Sequence, residues 1–178
     1  MTPHLAFLKG LAAALLCAAA LVPGSTTAST PDPVKLAIFD FEFEDMSAAA
    51  SAGAIAPADS QHLAEVTSSV RDLFQQSGRY SLVDVGGADA AEVKAGTPRT
   101  CDGCDAAIAQ QLGAEQSFVG VVKRITRTEY TVRYQVRDAS SGVVLSSADS
   151  GLRMGADYSW SRGAVRLIKD RLLEKKSQ

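Results

Sequence analysis

The sequence predicts one α/β domain of the α+β sandwich type, with helices packed on a mixed sheet in the order β-α-β-α-β-β-β-α. Three observations predict it. Val34–Phe43 and Ser117–Ile125 carry apolar runs of the kind found in strands buried on both faces. Leu63, Val66, Val70, Leu73 and Phe74 recur at spacings of three and four, one stripe of an amphipathic helix. Tyr130–Arg137 alternates strictly, with Tyr130, Val132, Tyr134 and Val136 on one face and Thr131, Arg133, Gln135 and Arg137 on the other, as a strand with one wet face does.

The remaining elements follow in order. The first strand starts apolar and ends with acidic residues between phenylalanines, so its far end is expected to emerge into solvent. Asp45–Ala58 is rich in Ala, Ser and Gly and reads as a loop. Asp59 or Ser60 is the expected helix cap, and Gly78 the expected stop, at the position that favours a left-handed backbone. Tyr80–Val85 is a short strand. Gly86–Arg99 is an irregular connection, and Cys101-Asp102-Gly103-Cys104 opens a short helix over Asp105–Leu112, closed by Gly113. Asp138–Gly142 is a hairpin loop returning along Val143–Ser150. Tyr158–Lys175 is a final helix with Trp160, Ala164, Leu167, Ile168 and Leu172 inward and Arg162, Arg166, Lys169 and Arg171 outward.

The amino terminus has the layout of a secretory signal peptide. Lys9 precedes an apolar stretch from Gly10 to Val22, Pro23-Gly24 breaks it, and small residues surround a cleavage point after Ala28. The apolar core is shorter than the roughly 20 residues that span a bilayer. Cys17 follows Leu16, which is too large for a lipoprotein processing site, so lipidation is not expected. Residues 1–28 are thus expected to be removed, 29–33 to form a polar leader, and 34–178 to be the domain, periplasmic or secreted, with no transmembrane segment in the mature chain. At about 150 residues it buries roughly two thirds of its unfolded surface.

Charge is uneven. Ser29–Val122 holds five Lys or Arg against fourteen Asp or Glu, and Lys123–Gln178 holds twelve against six. In one domain the two halves interleave, so the segregation reads as solvated faces. The mature chain is close to neutral and slightly acidic, which argues against nucleic acid as a partner.

The stretches VKLAIFDFE, RYSLVDV, CDGCDAAIAQQLGAEQSFVGVV and YQVRDASSGVVLSS resemble a bacterial family of small secreted proteins of unknown function, the CxGC element followed by LGA being the most specific part. More distantly, the first strand ending in Asp-Phe, the LGAE-to-Gly120 segment and the Asp…Ser-Gly hairpin are similar to the TolB amino-terminal domain and the curli-secretion channel family. The resemblance implies a small α/β layer that docks partners in the envelope. It implies no catalytic residue and no cofactor.

Three groups of side chains are candidates for chemistry. Cys101 and Cys104, spaced C-x-x-C in an exported chain, are expected to form a structural disulfide worth about 2 kcal/mol for so short a loop. The rival is a thiol–disulfide oxidoreductase with Cys101 attacking and Cys104 resolving. Against it, the pair follows an irregular connection rather than a strand, and no proline after Pro98 supplies a facing cis-proline loop. Zinc is disfavoured, since His62 is the one histidine of the mature chain and a structural site needs four ligands. Asp40, Glu42, Glu44 and Asp45 form an acidic cluster at a strand's carboxyl end and are a candidate cation or small-ligand site, although they lack the spacing of a calcium loop. Lys123, Arg127, Arg133 and Arg137 form a basic stripe able to meet an acidic partner or to keep a sheet edge from pairing. No G-x-S-x-G accompanies the serines, and no phosphate-loop spacing accompanies the glycines. The reading is a non-enzymatic protein that binds a periplasmic protein or envelope polymer.

Overall fold

A computed structural model describes residues 31–47, 55–88, 98, 102–126, 128–150 and 159–174. The fold lies in the unit Asp32–Gln178. Its elements are β1 (Val34–Ile38), β2 (Glu42–Asp45), α1 (Pro57–Gln76), β3 (Tyr80–Val83), α2 (Cys104–Gln111), β4 (Gln116–Thr126), β5 (Glu129–Asp138), β6 (Val144–Asp149) and α3 (Ser159–Ile168), whose last turns widen into a π-helix over Lys169–Leu173. The predicted class holds: a six-stranded mixed sheet in the order β3-β1-β4-β5-β6, with β2 also paired to β4. The strands β3, β1, β2 and β4 are parallel, and β4-β5-β6 is the antiparallel meander.

Alternation along the strands makes two cores. On one face Leu36, Ile38, Phe41, Phe118, Val122 and the Tyr130–Val136 row pack against α1 and α3. There Phe74 meets Phe118 edge-on at 5.3 Å, Phe118 stacks on Tyr134 at 5.8 Å, and Trp160 stacks on Phe43 at 5.7 Å. On the other face Ala37, Phe39, Val119 and Val121 pack with Ile108 and Ala109 of α2. The helical stripe of α1 buries Leu63, Val66, Val70 and Phe74, as its spacing predicts. Trp160, Ala164, Leu167 and Ile168 are buried in α3, with Arg166, Lys169 and Arg171 outside.

The first strand departs from expectation. It is two strands, because four residue steps from Ile38 to Glu42 run beside three from Phe118 to Val121. The extra residue is a β-bulge, and it swaps which side chains face which core. Phe41 and Phe43 turn to the α1 side, while Glu42 and Glu44 turn to the α2 side. Two residues make the bulge possible. Thr67 on α1 accepts the Phe41 N–H through Oγ1 at 2.9 Å. Gly120 leaves room for the Phe41 ring, since a Cβ there would overlap it.

The cap of α1 is also different. The helix starts at Pro57, with Ala56 before it and no side-chain cap. Asp59, the expected cap, turns instead to Arg124 at 2.7 Å. Gly78 follows the C-cap Ser77 with φ of +64°, as predicted. At the β5–β6 turn Asp138 Oδ1 accepts hydrogen bonds from the N–H and hydroxyl groups of Ser140 and Ser141. These hold its carboxyl down at about 2.

Gly120→Ala is expected to cost about 1–3 kcal/mol through this overlap, read as a lower urea midpoint at unchanged slope. Phe41→Leu in the same chain should recover part of the loss. Simple additivity of the two changes would contradict the contact.

Candidate functional site

The acidic cluster does not assemble. Asp40 is exposed and accepts a hydrogen bond from Arg71 Nη2 at 3.0 Å. Glu42 is buried on the α2 side of the sheet. Glu44, on the same side, pairs with Lys123 Nζ at 3.0 Å. Asp45, on the opposite face, pairs with Arg124 at 3.1 Å. Ser47 hydrogen bonds, together with Arg124, hold the Asp45 carboxyl below the usual range against the opposing effect of burial. Strand alternation sends Glu44 and Asp45 to opposite faces and the bulge decides which face each takes; Asp40, Glu44 and Asp45 each meet a cation of the chain itself. Among the described residues no group of three or more metal-ligating side chains is gathered.

Arg124 is the polar centre of the fold. Nη1 donates to Asp45 at 3.1 Å, Nη2 to Asp59 at 2.7 Å and Nε to the Tyr130 hydroxyl at 3.1 Å. The same guanidinium lies 4.8 Å from the Phe43 ring centre and 5.4 Å from that of Tyr130. Burial works against its charge, but the hydrogen bonds to Tyr130 and Asp59 hold it more firmly protonated than a free arginine. One side chain thus joins β2, α1, β4 and β5. Beside it, Trp160 packs on Tyr130 at 5.2 Å and on the edge of His62 at 5.7 Å. His62 itself is 3.4 Å from Glu65.

The basic stripe is divided. Lys123 and Arg133 line one shallow cavity of about 230 Å³ with Glu44, Val121 and Gln135. Arg137 is at the far end of β5, 3.3 Å from Asp102 and 3.6 Å from Asp105, and donates to the Gly142 carbonyl. Arg127 lies outside the described residues. Cys104 is the first residue of α2, half-buried, with Sγ 3.6 Å from the Pro98 carbonyl oxygen. Its expected partner, Cys101, lies outside the described residues. Buried Asp105 holds α2 to the sheet by accepting the Ser117 hydroxyl at 2.6 Å.

A larger cleft of about 500 Å³ lies at the carboxyl ends of β1 and β3, between Asp40, Arg71, Leu82 and Asp84. Its charges are engaged within the chain: Arg71 donates to Asp40 and to the Ile38 carbonyl, and Asp84 accepts the Gly86 N–H.

The feature missed from sequence is on β6. Val143, Val144 and Leu145 are 59%, 41% and 51% exposed, three consecutive apolar side chains at the turn into β6, whose inner edge is paired to β5 with a register shift at Leu145. The signal was available, since this run breaks the apolar–polar alternation just after Gly142. The other open edges are blunted. β3 has four residues, and β2 has four, three of them acidic. Short or charged edges resist pairing, as do bulged ones; the start of β6 is neither short nor charged, with a register shift at Leu145.

Fold and surface together define a small α+β domain with two filled cores and one open apolar sheet edge. The chain belongs to the DUF3280 family, described as "Protein of unknown function (DUF2380)", whose model matches residues 34–172. Among solved structures, it is similar to the PelC dodecamer from Paraburkholderia phytofirmans (17% identity, 83% of this chain and 92% of that chain, TM-score 0.48). It is also similar to the LpoB C-terminal domain from Salmonella enterica (15% identity, 68% and 84%, TM-score 0.47). The expected likeness to TolB is found with the Acinetobacter baumannii protein (16% identity, 74% and 26%, TM-score 0.43), of which this chain spans about a quarter.

Arg124→Met, which keeps the volume but removes all three hydrogen bonds, is expected to cost about 3 kcal/mol because buried Asp59 loses its cation. Asp59→Asn in the Arg124→Met background should recover part of that loss in urea titrations. No recovery would place the cost elsewhere.

Proposed function

We propose that this chain is a non-enzymatic binding module of the cell envelope that docks a protein partner in the periplasm through the open edge of β6. The observation that carries the reading is the exposed run Val143-Val144-Leu145 at the start of β6, an end strand of the sheet among the described residues. Apolar side chains on an open edge favour the addition of a strand, where main-chain hydrogen bonds supply affinity and side chains supply selectivity. Residues 1–28 serve as the export signal and are removed. Cys101 and Cys104 form a disulfide that clamps the start of α2. The half-buried position of Cys104 against the α2-side core supports a structural role for the pair.

The test compares the parent with Val144→Lys and Leu145→Lys, each carrying a photocrosslinking residue at Ser147. Both substitutions are on exposed positions, so urea midpoints should stay within about 0.5 kcal/mol of the parent. Crosslinks to an envelope protein, present in the parent and lost in both variants, are expected. The double change Cys101→Ser/Cys104→Ser should keep the crosslinks while lowering stability by about 2 kcal/mol. Crosslinks that persist in both lysine variants would overturn the reading.

A further inference from the structure

We infer that the cleft at the carboxyl ends of β1 and β3 binds a small aliphatic zwitterion, a free amino acid or a short peptide with its ammonium and carboxylate both unblocked. This site goes beyond the docking reading and lies at the other end of the sheet from β6. Topology places a crevice there. β1 and β3 are neighbouring parallel strands. The chain leaves β1 through β2 for α1 on one face of the sheet, and leaves β3 for α2 on the other. Neighbouring parallel strands whose connections part to opposite faces leave a gap at their carboxyl ends, where open α/β sheets hold ligands. Past Ile38 the bulge carries the chain on along β4, whereas the pairing of β3 with β1 ends at Val83. The resulting cleft measures about 500 Å³, within the range of roughly 300–1,000 Å³ typical of small-molecule sites.

Its apolar wall includes Ile38, Phe39, Leu82 and Val83, and its charged groups include Arg71 and Asp84. Both of these keep bonding capacity to spare. Arg71 Nη2 donates to the Asp40 carboxylate at 3.0 Å and to the Ile38 carbonyl at 3.1 Å. These two bonds fix the guanidinium at the wall, while among the described residues its Nη1 and Nε have no acceptor. Asp40 is 81% exposed, so its pairing with Arg71 is weak in water. Asp84 spends Oδ1 on the Gly86 N–H at 2.9 Å, and among the described residues Oδ2 has no donor. Gln75, one turn beyond Arg71 along α1, adds a neutral amide to the same lining.

Arg71 and Asp84 thus line one cleft without pairing with each other. A simple anion that answers Arg71 is repelled by Asp84, and a simple cation that answers Asp84 is repelled by Arg71. A neutral apolar molecule takes water from both charges and returns no bond. A molecule with both signs on an aliphatic body satisfies the guanidinium, the carboxylate and the apolar wall together, through charge-assisted hydrogen bonds. Free amino acids and short peptides share this chemistry and differ in the distance between their charges.

The test titrates the isotope-labelled mature chain with five probes and follows amide chemical shifts. Leucine and leucyl-leucine carry both charges, leucine amide the ammonium alone, N-acetyl-leucine the carboxylate alone, and N-acetyl-leucine amide neither. Leucine or leucyl-leucine is expected to move the amides of residues 38–40 and 82–86 and to leave residues 146–149 in place; the tighter of the two tells amino acid from peptide. Each singly charged probe should bind about tenfold more weakly than leucine, as loss of one charged hydrogen-bond partner requires. Asp84→Asn keeps an Oδ1 for the Gly86 N–H and should weaken leucine amide but not N-acetyl-leucine. Arg71→Gln keeps a donor for the Ile38 carbonyl and should do the reverse. A merely structural role would weaken both probes alike, and if Arg71→Gln fails to fold, the contrast in exposed Asp84→Asn decides. Equal binding of N-acetyl-leucine amide overturns the inference. So do substitutions that ignore the charge of the probe, or amides of residues 38–40 and 82–86 that stay in place at millimolar leucine and leucyl-leucine.

Discussion

Arg124 is the residue on which the rest of the structure depends. Its guanidinium satisfies two carboxylates from different elements, Asp45 of β2 and Asp59 of α1, and a hydroxyl from a third, Tyr130 of β5. It does this at the rim of the larger core, against the faces of Phe43 and Tyr130. Removing a cation from such a place leaves a buried anion unpaired, which is costlier than any single hydrogen bond. The bulge between β1 and β2 puts Asp45 on the Arg124 side of the sheet. Gly120 and Thr67 in turn make the bulge possible, one by its missing side chain and one by accepting the freed Phe41 N–H. Sheet geometry, helix position and charge pairing are thus one linked choice.

This linkage finishes one side of the sheet and leaves the other open. β2 is held to β4 and its carboxylates Glu44 and Asp45 are paired. α1 and α3 close over the first face, and α2 is held to the second through Asp105, Ser117 and Arg137. Among the described residues β6 has no equivalent cover on its outer edge. Its first residues are the most exposed consecutive apolar side chains among those described. An edge of this kind favours association unless charge, proline, a bulge or a covering element prevents it; among the described residues the start of β6 has no charge, proline or cover, and its one irregularity is the register shift at Leu145.

Much of the fold was legible in the sequence because its signals are local. The alternation from Tyr130 to Val136 and the stripe from Leu63 to Phe74 each report which face is buried. The break in the first strand was not legible. It depends on a ring from β1–β2 resting over a glycine of β4 and on a threonine hydroxyl of α1, partners 26 to 79 positions away. For the same reason the run from Asp40 to Asp45 read as one acidic cluster, when the fold distributes it over two faces. Arg124 left a usable trace: in the alternation of Phe118, Gly120, Val122 and Arg124 it sits on the apolar face, where an arginine requires partners. The run Val143–Leu145 was visible as sequence, but composition alone does not tell an exposed apolar strand from a covered one.

The central claim is that the outer edge of β6 is open in the free protein, and residue-resolved amide hydrogen exchange on the mature chain alone tests it most directly. Ala148 and Ser146, whose N–H groups turn toward β5, should be protected, while the alternate residues Ser147 and Asp149 exchange near the rate of an unstructured peptide. Alternating slow and fast amides along β6 would show an edge available to a partner. Uniform slow exchange across all four residues would show that the edge is already covered and would contradict the account.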